Sequence, residues 1–198
     1  MTKRRNIAVS KRRKCAETTR GDILQAARKR FAAMGYEASG LRDIAADVGV
    51  DPSLICRYFG GKQELLAEIL AAQPDCAEIL AGPLAAVGPG LAERILPDAI
   101  EGADGAPIDL LIILRAASSS DAASVLRKGI EEKFTTPLRK RLKGPARKER
   151  ALLAASFVLG TMVMHSLLKV NGADTARSDR ETARRLARVI DSVIREDA

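Results

Sequence analysis

The sequence predicts an all-α protein of two modules, and its composition and charge distribution support this fold class. Hydrophobic residues make up 46% of the chain but aromatic residues only 3%, so the core must be built from Ala, Leu, Ile and Val, a composition that favours helices. Residues 1–62 hold 14 Lys and Arg against 6 Asp and Glu, a net charge of +8, whereas residues 63–198 hold 19 of each. A basic module joined to a neutral one predicts a polyanionic partner for the first and a separate task for the second.

Several classes of protein are disfavoured by the same composition. Cys15, Cys56 and Cys76 are far apart and the chain has one histidine, so neither a metal site nor a disulfide framework is predicted, and a reducing cytoplasm is expected. The charged N-terminus does not resemble a signal peptide. No acid, base and nucleophile have the spacing of a catalytic site, so we predict neither an enzyme nor a bound cofactor.

The apolar stretch 151–168 raises the question of a membrane span. Its eighteen residues carry no formal charge, which is the lower limit for a transmembrane candidate. However, it includes Ser156, Gly160, Thr161 and His165, and the central helix of a soluble bundle is also apolar all round. We therefore interpret it as a buried bundle helix and predict no membrane partner.

The N-terminal third predicts a basic arm followed by a helix. Residues 1–17 are basic and show no periodic pattern, which predicts a disordered arm. A helix is expected from Thr19, which can cap it with Asp22 in the capping-box position, to Gly35, where glycine ends it. Its apolar face consists of Ile23, Ala27, Phe31 and Met34.

Two short helices joined by a tight turn are predicted next. The first begins after Ser39 or Gly40, and Gly49 provides the positive φ of the turn. Asp51 caps the second helix, with Pro52 in its first position, where proline fits best. Inside a basic module such a pair predicts a helix-turn-helix, whose second helix normally enters the DNA major groove; an ordinary helical hairpin is the alternative.

The remaining helices follow from the same periodicity. The second helix of the pair spans about 52–59 and buries Ile55 and Phe59, and a further helix starts at Lys62 and ends before Pro74. From there to residue 107, glycines and prolines predict short helices and loops. Longer helices are predicted at about 107–118, 120–142, 146–169 and 176–195.

The stretch GYEASGLRDIAADVGVDPSLICRYFGGKQELLAEIL resembles the DNA-binding domain of the TetR family of transcriptional regulators. The matching features are the Gly-Tyr after the first helix, LRDIAADVGV for the second, DPSLICRYF for the third and GGKQELL at the start of the fourth. The resemblance covers residues 19–70 closely, whereas the chain from about residue 107 is similar only in its layout of helices. It implies a homodimer bound to a palindromic operator, with one recognition helix in each half-site.

The resemblance also implies functional residues at the matching positions. Ser39 and Arg42 would meet phosphates or the edge of a groove, and Tyr58 and Lys62 would hold the DNA backbone. The residues expected to face the major groove are Pro52, Ser53, Leu54, Cys56 and Arg57. Helical spacing agrees independently, because positions 53, 56 and 57 lie opposite the two apolar residues of that helix.

Three features of this region allow other interpretations. Cys56 stands where the family commonly has an aromatic residue, often Tyr; its thiol beside Arg57 could sense oxidation, although a small residue tolerated in the groove is the simpler interpretation. The segment 60–62, Gly-Gly-Lys, is not a nucleotide-binding loop, which needs four residues between its glycines and Ser or Thr after the lysine. The basic arm can contact DNA or remain a solvated tail.

The resemblance divides the chain into an arm, 1–17, a DNA-binding domain, 18–62, and an effector-binding and dimerisation domain, 63–198. An apolar effector pocket in the last could be lined by Leu114, Phe134, Phe157, Met162 and His165, although each is more often an ordinary core residue. Few aromatic residues and no segregated charge favour a lipophilic effector. The dimer is expected to form through the last two helices as a four-helix bundle.

We therefore expect a repressor. An effector would shift the population of conformations until the two recognition helices no longer fit both half-sites. The alternative is a DNA-binding protein of the same fold without a small-molecule effector, for which a cavity in the C-terminal helices is not required.

Overall fold

The computed structural model describes residues 2–72, 76–96, 108–168, 170 and 176–195, with side chains from residue 16 onward and from residue 181 in the last helix. Every regular element within these residues is a helix, which confirms the all-α class. The α-helices are α1 (Thr2–Met34), α2 (Leu41–Val48), α3 (Pro52–Phe59), α4 (Lys62–Ala71), α5 (Ala77–Ala81), α6 (Leu84–Ile95), α7 (Ile108–Ala116), α8 (Ser120–Ile130), α9 (Thr136–Arg141), α10 (Arg147–Met162) and α11 (Ala176–Ile194). Two π-helical turns, Glu131–Thr135 and Val163–Leu167, join α8 to α9 and extend α10.

The helices form two compact units. The first contains residues 1–73 and 111–126, and the second contains residues 74–110 and 127–198. This division differs from the boundary expected between residues 62 and 63. The reason is that α4 packs against α1, and that most of α7 and the first part of α8 belong with the N-terminal helices.

Helix α1 is longer than the sequence predicts. It begins at Thr2 and includes the segment 1–17 from that residue onward, where an irregular arm was expected. Thr19 therefore lies inside the helix and does not cap it. Gly21 is the one glycine between Thr2 and Met34, and no proline occurs there, so the local sequence contains little that would end a helix.

The C-terminal end of α1 follows the prediction at Gly35 but not at Met34. Gly35 has a φ of +84°, and its N–H donates to the Phe31 carbonyl over 3.1 Å. Met34 was expected on the apolar face, yet its side chain is 62% exposed. Tyr36 occupies the core instead, with its ring centroid 5.5 Å from that of Phe31, because the chain turns back at the glycine.

The core of the first unit is built from one face of each of its first four helices. The faces meet because apolar residues recur at three- and four-residue intervals on each helix. The buried apolar side chains of these helices are Ile23, Ala27, Phe31, Ala32, Ile44, Ala45, Ile55, Phe59, Leu65, Leu66 and Ile69.

The second unit is organised around close packing of α6 on α11. Val87 and Leu91 of α6 are fully buried in a cluster that also contains Ile190 of α11. Helix α6 continues through Pro89, although the glycines and prolines of this region predict short helices and loops. Burial of its apolar face compensates for the backbone hydrogen bond that a proline inside a helix removes.

Arg150 connects the start of α10 to the end of α11. Its side chain is buried, and its guanidinium donates to the carbonyl of Val193 over 3.0 Å and to that of Ile194. It also donates to the carbonyls of Lys143 and Pro145, over 2.7 and 3.2 Å. The last carbonyls of α11 and the loop before α10 therefore share one cation, which suits the negative end of a helix.

Helix α10 with its π-helical extension, Arg147–Leu167, is the one stretch of the described residues long and apolar enough to cross a membrane, judged by length and composition. Only 17% of its apolar window is buried within the chain. The burial expected for a bundle helix is therefore not found within one chain. Its exposed apolar side chains include Leu153, Phe157 and Met164.

Substitution of Gly88 tests how closely α6 approaches α11. A Cβ at this position would lie 2.7 Å from the Ala187 carbonyl oxygen and 2.5 Å from Oδ1 of Asp191. We expect Gly88→Ala to lower the free energy of unfolding by about 1–3 kcal/mol, since the backbone of α11 cannot yield as a side chain could. Urea denaturation followed by circular dichroism, at one fixed protein concentration, measures this.

The matched control is Gly129→Ala in α8, where a Cβ would meet nothing within 4 Å. It should raise the stability by roughly 0.5–1 kcal/mol, because alanine suits a helix better than glycine. Equal effects of the two substitutions would contradict the close approach at Gly88.

Candidate nucleic-acid interface

The turn between α2 and α3 has the predicted geometry. Gly49 has a φ of +72°, and the N–H of Val50 donates to the Ala45 carbonyl over 3.0 Å, which closes the end of α2. Asp51 caps α3 by accepting the N–H of Ser53 over 2.8 Å. Hydrogen bonds from the Ser53 side chain and backbone hold the pKa of Asp51 below its ordinary value. Pro52 occupies the first position of α3, as expected.

Helix α3 has one buried and one exposed face. Ile55 and Phe59 are buried in the first unit. On the opposite side, Ser53, Cys56 and Arg57 are exposed. The remaining predicted groove residues, Pro52 and Leu54, and the predicted backbone contact Tyr58 are half-buried at the borders between the two faces. The side chains thus lie as helical spacing predicts.

Arg20 of α1 holds α3 and α4 together. Its guanidinium pairs with the Glu68 carboxylate of α4, with both oxygens accepting. The same guanidinium lies 4.9 Å from the centre of the Phe59 ring of α3, within the range of a cation–π interaction. The sequence did not single out Arg20, since nothing in its local pattern distinguishes it from the other cations of α1.

A second arginine of α1 fixes α2. The Nη2 of Arg30 donates to Oδ1 of Asp47 over 2.9 Å, and its Nε donates to Oδ2. These hydrogen bonds raise the pKa of Arg30 and lower that of Asp47. Two N–H groups facing two carboxylate oxygens also define the orientation of the helices, which a single contact would leave free.

Ser39 was expected to meet a DNA phosphate, and the structure corrects this expectation. Its side chain is 0% exposed, and its hydroxyl donates to the Gly35 carbonyl over 2.7 Å. The hydroxyl therefore satisfies a carbonyl at the end of α1 and does not face the outside. Arg42, the other residue expected to contact a phosphate from this region, is exposed.

Lys62, expected to hold the DNA backbone, is half-buried and has partners within the first unit. Its Nζ lies 4.3 Å from the centre of the Tyr36 ring and donates to the Glu37 carbonyl over 3.3 Å. Burial raises the pKa of Tyr36, and the nearby carboxylates of Asp121, Glu37 and Glu64 raise it further. The Lys62 ammonium group therefore already has two partners, the Tyr36 ring and the Glu37 carbonyl, before any phosphate approaches.

The five predicted effector contacts belong to both units and differ in burial. Leu114 is half-buried in the first unit. In the second unit, Phe134 lies in the buried cluster and Met162 packs against it. Phe157 is exposed and His165 is half-buried.

A helix-turn-helix whose second helix is anchored on one side and exposes a polar, cationic side on the other is the arrangement of a DNA-binding regulator. Two family models match the chain: residues 23–69 match bacterial regulatory proteins of the tetR family, and residues 87–194 match the tetracyclin repressor-like C-terminal domain. The chain belongs to the TetR family and is a DNA-binding transcriptional regulator.

Several solved structures have folds similar to that of this chain. NalD of Pseudomonas aeruginosa, described as the secondary repressor of the MexAB-OprM multidrug efflux pump, is 17% identical, with 89% of this chain and 97% of that chain covered and a TM-score of 0.67. GusR of Salmonella enterica is 16% identical, with 89% and 95% covered and a TM-score of 0.63. A regulator from Aquifex aeolicus VF5 is 17% identical, with 87% and 99% covered and a TM-score of 0.57.

At these identities the likeness concerns the fold. None of the curated proteins that were compared matches this chain.

Substitution of Ser39 tests whether its hydroxyl is buried against the end of α1. We expect Ser39→Ala to reduce the free energy of unfolding by about 1 kcal/mol, because a buried hydrogen bond to a backbone carbonyl is lost. The control is Ser124→Ala, which removes an equally short 2.7 Å hydroxyl-to-carbonyl bond from an exposed position of the same unit. That control should change stability by less than about 0.5 kcal/mol. Equal denaturation midpoints for Ser39→Ala and the unmodified protein would contradict the burial of this hydroxyl.

Proposed function

We propose that the protein is a repressor that binds a palindromic operator as a homodimer, with the exposed face of α3 in the major groove. The observation that carries this proposal is the division of α3 into a buried and an exposed face. Arg57 on the exposed face has the donors to recognise a guanine in the major groove, and the small side chains of Ser53 and Cys56 allow close approach.

Contacts to the DNA backbone would come from the borders of this face. The exposed Arg42 is a candidate for a phosphate contact, and Tyr58 and Lys62 remain candidates at the ends of α3 and α4. The net charge of +8 over residues 1–62 supports a nonspecific attraction to DNA that places α3 for readout. Ser39 is not among these phosphate contacts, since its hydroxyl is buried.

A homodimer would bury the apolar face that runs along α10, its π-helical extension and Leu168. Leu153, Phe157, Met164 and Leu168 follow one another at intervals of four and seven residues, and their side chains are between 38% and 58% exposed. Gly160 lies within the same series and has open space where a side chain would be. Val189 of α11 is also exposed, so a four-helix bundle of α10 and α11 from two chains is the arrangement we propose.

Repression and an effector are part of the same proposal. NalD, which has a similar fold, is described as a repressor, and this favours repression for the present chain. A lipophilic effector would enter the second unit near Phe134 and Met162, which share one apolar cluster. The alternative, DNA binding without an effector, is favoured by the second unit itself, in which Phe134 is buried in the core whereas Phe157 is exposed.

Mass spectrometry distinguishes these alternatives. Purified protein is examined under native conditions for a bound small molecule, and operator binding is then measured before and after solvent extraction. A lipophilic ligand that weakens operator binding supports the effector. Identical operator binding in both samples, with no ligand detected, supports the alternative.

Footprinting on a genomic DNA library followed by binding titrations tests the DNA interface. The unmodified protein should protect short palindromes, and Arg57→Gln should weaken operator binding by about 1–3 kcal/mol per half-site, since bidentate recognition of a base is lost. Cys56→Tyr should change operator affinity without unfolding the protein. The control is Arg127→Gln, an exposed arginine of the second unit with the same change in charge.

Two results would contradict the interface. One is an operator affinity that neither Arg57→Gln nor Cys56→Tyr changes relative to Arg127→Gln. The other is uniform, strongly salt-dependent coating of all DNA, which indicates binding through phosphates alone.

The dimer is tested by the substitution Phe157→Glu. A charge at the centre of the apolar face should convert a dimer into a monomer of about 21.2 kDa, as measured by light scattering or sedimentation equilibrium. Met34→Glu is the control, because Met34 is an exposed apolar residue outside that face, with 62% of its side chain exposed against 38% for Phe157. A dimer that survives Phe157→Glu unchanged would place the interface elsewhere.

A further inference from the structure

A second concentration of positive charge lies outside the helix-turn-helix, where α9 ends and α10 begins. Residues 139–150 include seven Lys and Arg and one Glu, although residues 63–198 as a whole are neutral. The two helix ends and the loop between them form an open groove of about 510 Å³. Its lining residues are Arg139, Lys140, Gly144, Pro145, Ala146, Arg147, Lys148 and Glu149.

Two of the seven cations hold the groove in shape and do not face a ligand. The Arg141 guanidinium donates to the carbonyls of Leu80 and Gly82, which attaches α9 to α5 and the residue that follows it. Arg150 is buried and donates to two carbonyls of the loop itself. The end of α9 and the loop before α10, which carry the lining residues, are therefore held in place by buried or partly buried hydrogen bonds.

The backbone of this loop is unusual as well. Gly144 has a φ of +78°, and Ala146 has a φ of +52°, the one positive φ outside glycine among the described residues. A left-handed conformation costs an alanine about 1 kcal/mol, and such positions persist only where the surroundings determine them. The geometry of the groove is thus fixed at an energetic cost to the fold.

The four cations that line the groove have no anionic partner in the part of the chain that the structure describes. Arg139, Lys140, Arg147 and Lys148 are all exposed, and none forms an ion pair there. Some exposed cations elsewhere in the second unit do form ion pairs, as Arg185 does with Glu181, 3.0 Å apart. Four like charges around one concave surface repel one another, and a bound anion would relieve that repulsion.

We propose that this groove binds a small molecule that carries two or more linked phosphate groups, such as a nucleoside triphosphate or an inorganic polyphosphate. Its volume lies within the roughly 300–1,000 Å³ typical of small-ligand sites. Arginine and lysine are the residues that pair with phosphate oxygens, and four of them exceed what one phosphate requires. A concave groove does not suit duplex DNA, which is normally read by an element that protrudes into it.

This ligand differs in chemistry from the lipophilic effector, and its binding does not depend on the proposed operator, dimer or effector. The regulator would then respond to the abundance of a phosphorylated compound through a surface outside the helix-turn-helix.

Isothermal titration of the full-length protein with inorganic tripolyphosphate, at about 150 mM salt, tests the proposal. At this ionic strength charges more than about 8 Å apart are largely screened, so diffuse attraction is weak. We expect saturable binding of one molecule per chain. The double variant Arg139→Gln/Arg147→Gln should weaken it at least tenfold, with unchanged helical content and melting temperature.

Two matched double variants separate the groove from charge in general. Arg184→Gln/Arg188→Gln removes two exposed arginines from α11, and Arg42→Gln/Arg57→Gln removes two from the proposed DNA interface. Both should bind tripolyphosphate as the unmodified protein does. A parallel titration with ATP identifies the source of the phosphates: tighter binding of ATP than of tripolyphosphate assigns the groove to a nucleotide, and equal binding assigns it to the phosphate chain alone.

Three results would overturn the proposal. The first is the absence of saturable binding of either compound below about 1 mM. The second is an equal loss of affinity in the groove variant and the α11 variant, which would indicate net charge only. The third is a loss confined to the Arg42/Arg57 variant, which would place polyphosphate binding at the DNA interface.

Discussion

The exposed side of α3 can serve recognition only because its other side is held at several points. A helix of eight residues is too short to be stable alone in water. Ile55 is buried in the first unit, and the Phe59 ring lies beneath the guanidinium of Arg20, which also pairs with Glu68 of α4. These contacts define the direction in which Arg57 points, as a rigid scaffold does for binding residues on any fold.

The same unit contains segments that come from much later in the chain. Arg115 of α7 donates to the Ala33 carbonyl near the end of α1, and Asp121 of α8 is among the carboxylates that raise the pKa of Tyr36. Residues 111–126 are thus part of the compact unit that presents α3. A displacement of residues 111–126 would therefore act directly on the end of α1.

Much of the local structure could be predicted from the sequence, because its causes lie within a few residues. Gly35 and Gly49 adopt left-handed backbone conformations that few other residues tolerate, and Asp51 followed by Pro52 begins α3 as the rules of capping require. The alternation of buried and exposed positions on α3 follows from 3.6 residues per turn. These local features were sufficient to predict the helix-turn-helix and to orient positions 53, 56 and 57 away from the buried face of α3.

By itself, then, the sequence determined the helical class, the turn and caps of the helix-turn-helix and the confinement of net charge to residues 1–62. Only the tertiary structure decided which polar groups remain available: it buries Ser39 against the end of α1 and gives Lys62 partners around Tyr36. It also carries α6 through Pro89 by packing it on α11. The physical reason is that burial, or a contact between residues distant in the chain, outweighs local preferences of a fraction to a few kcal/mol.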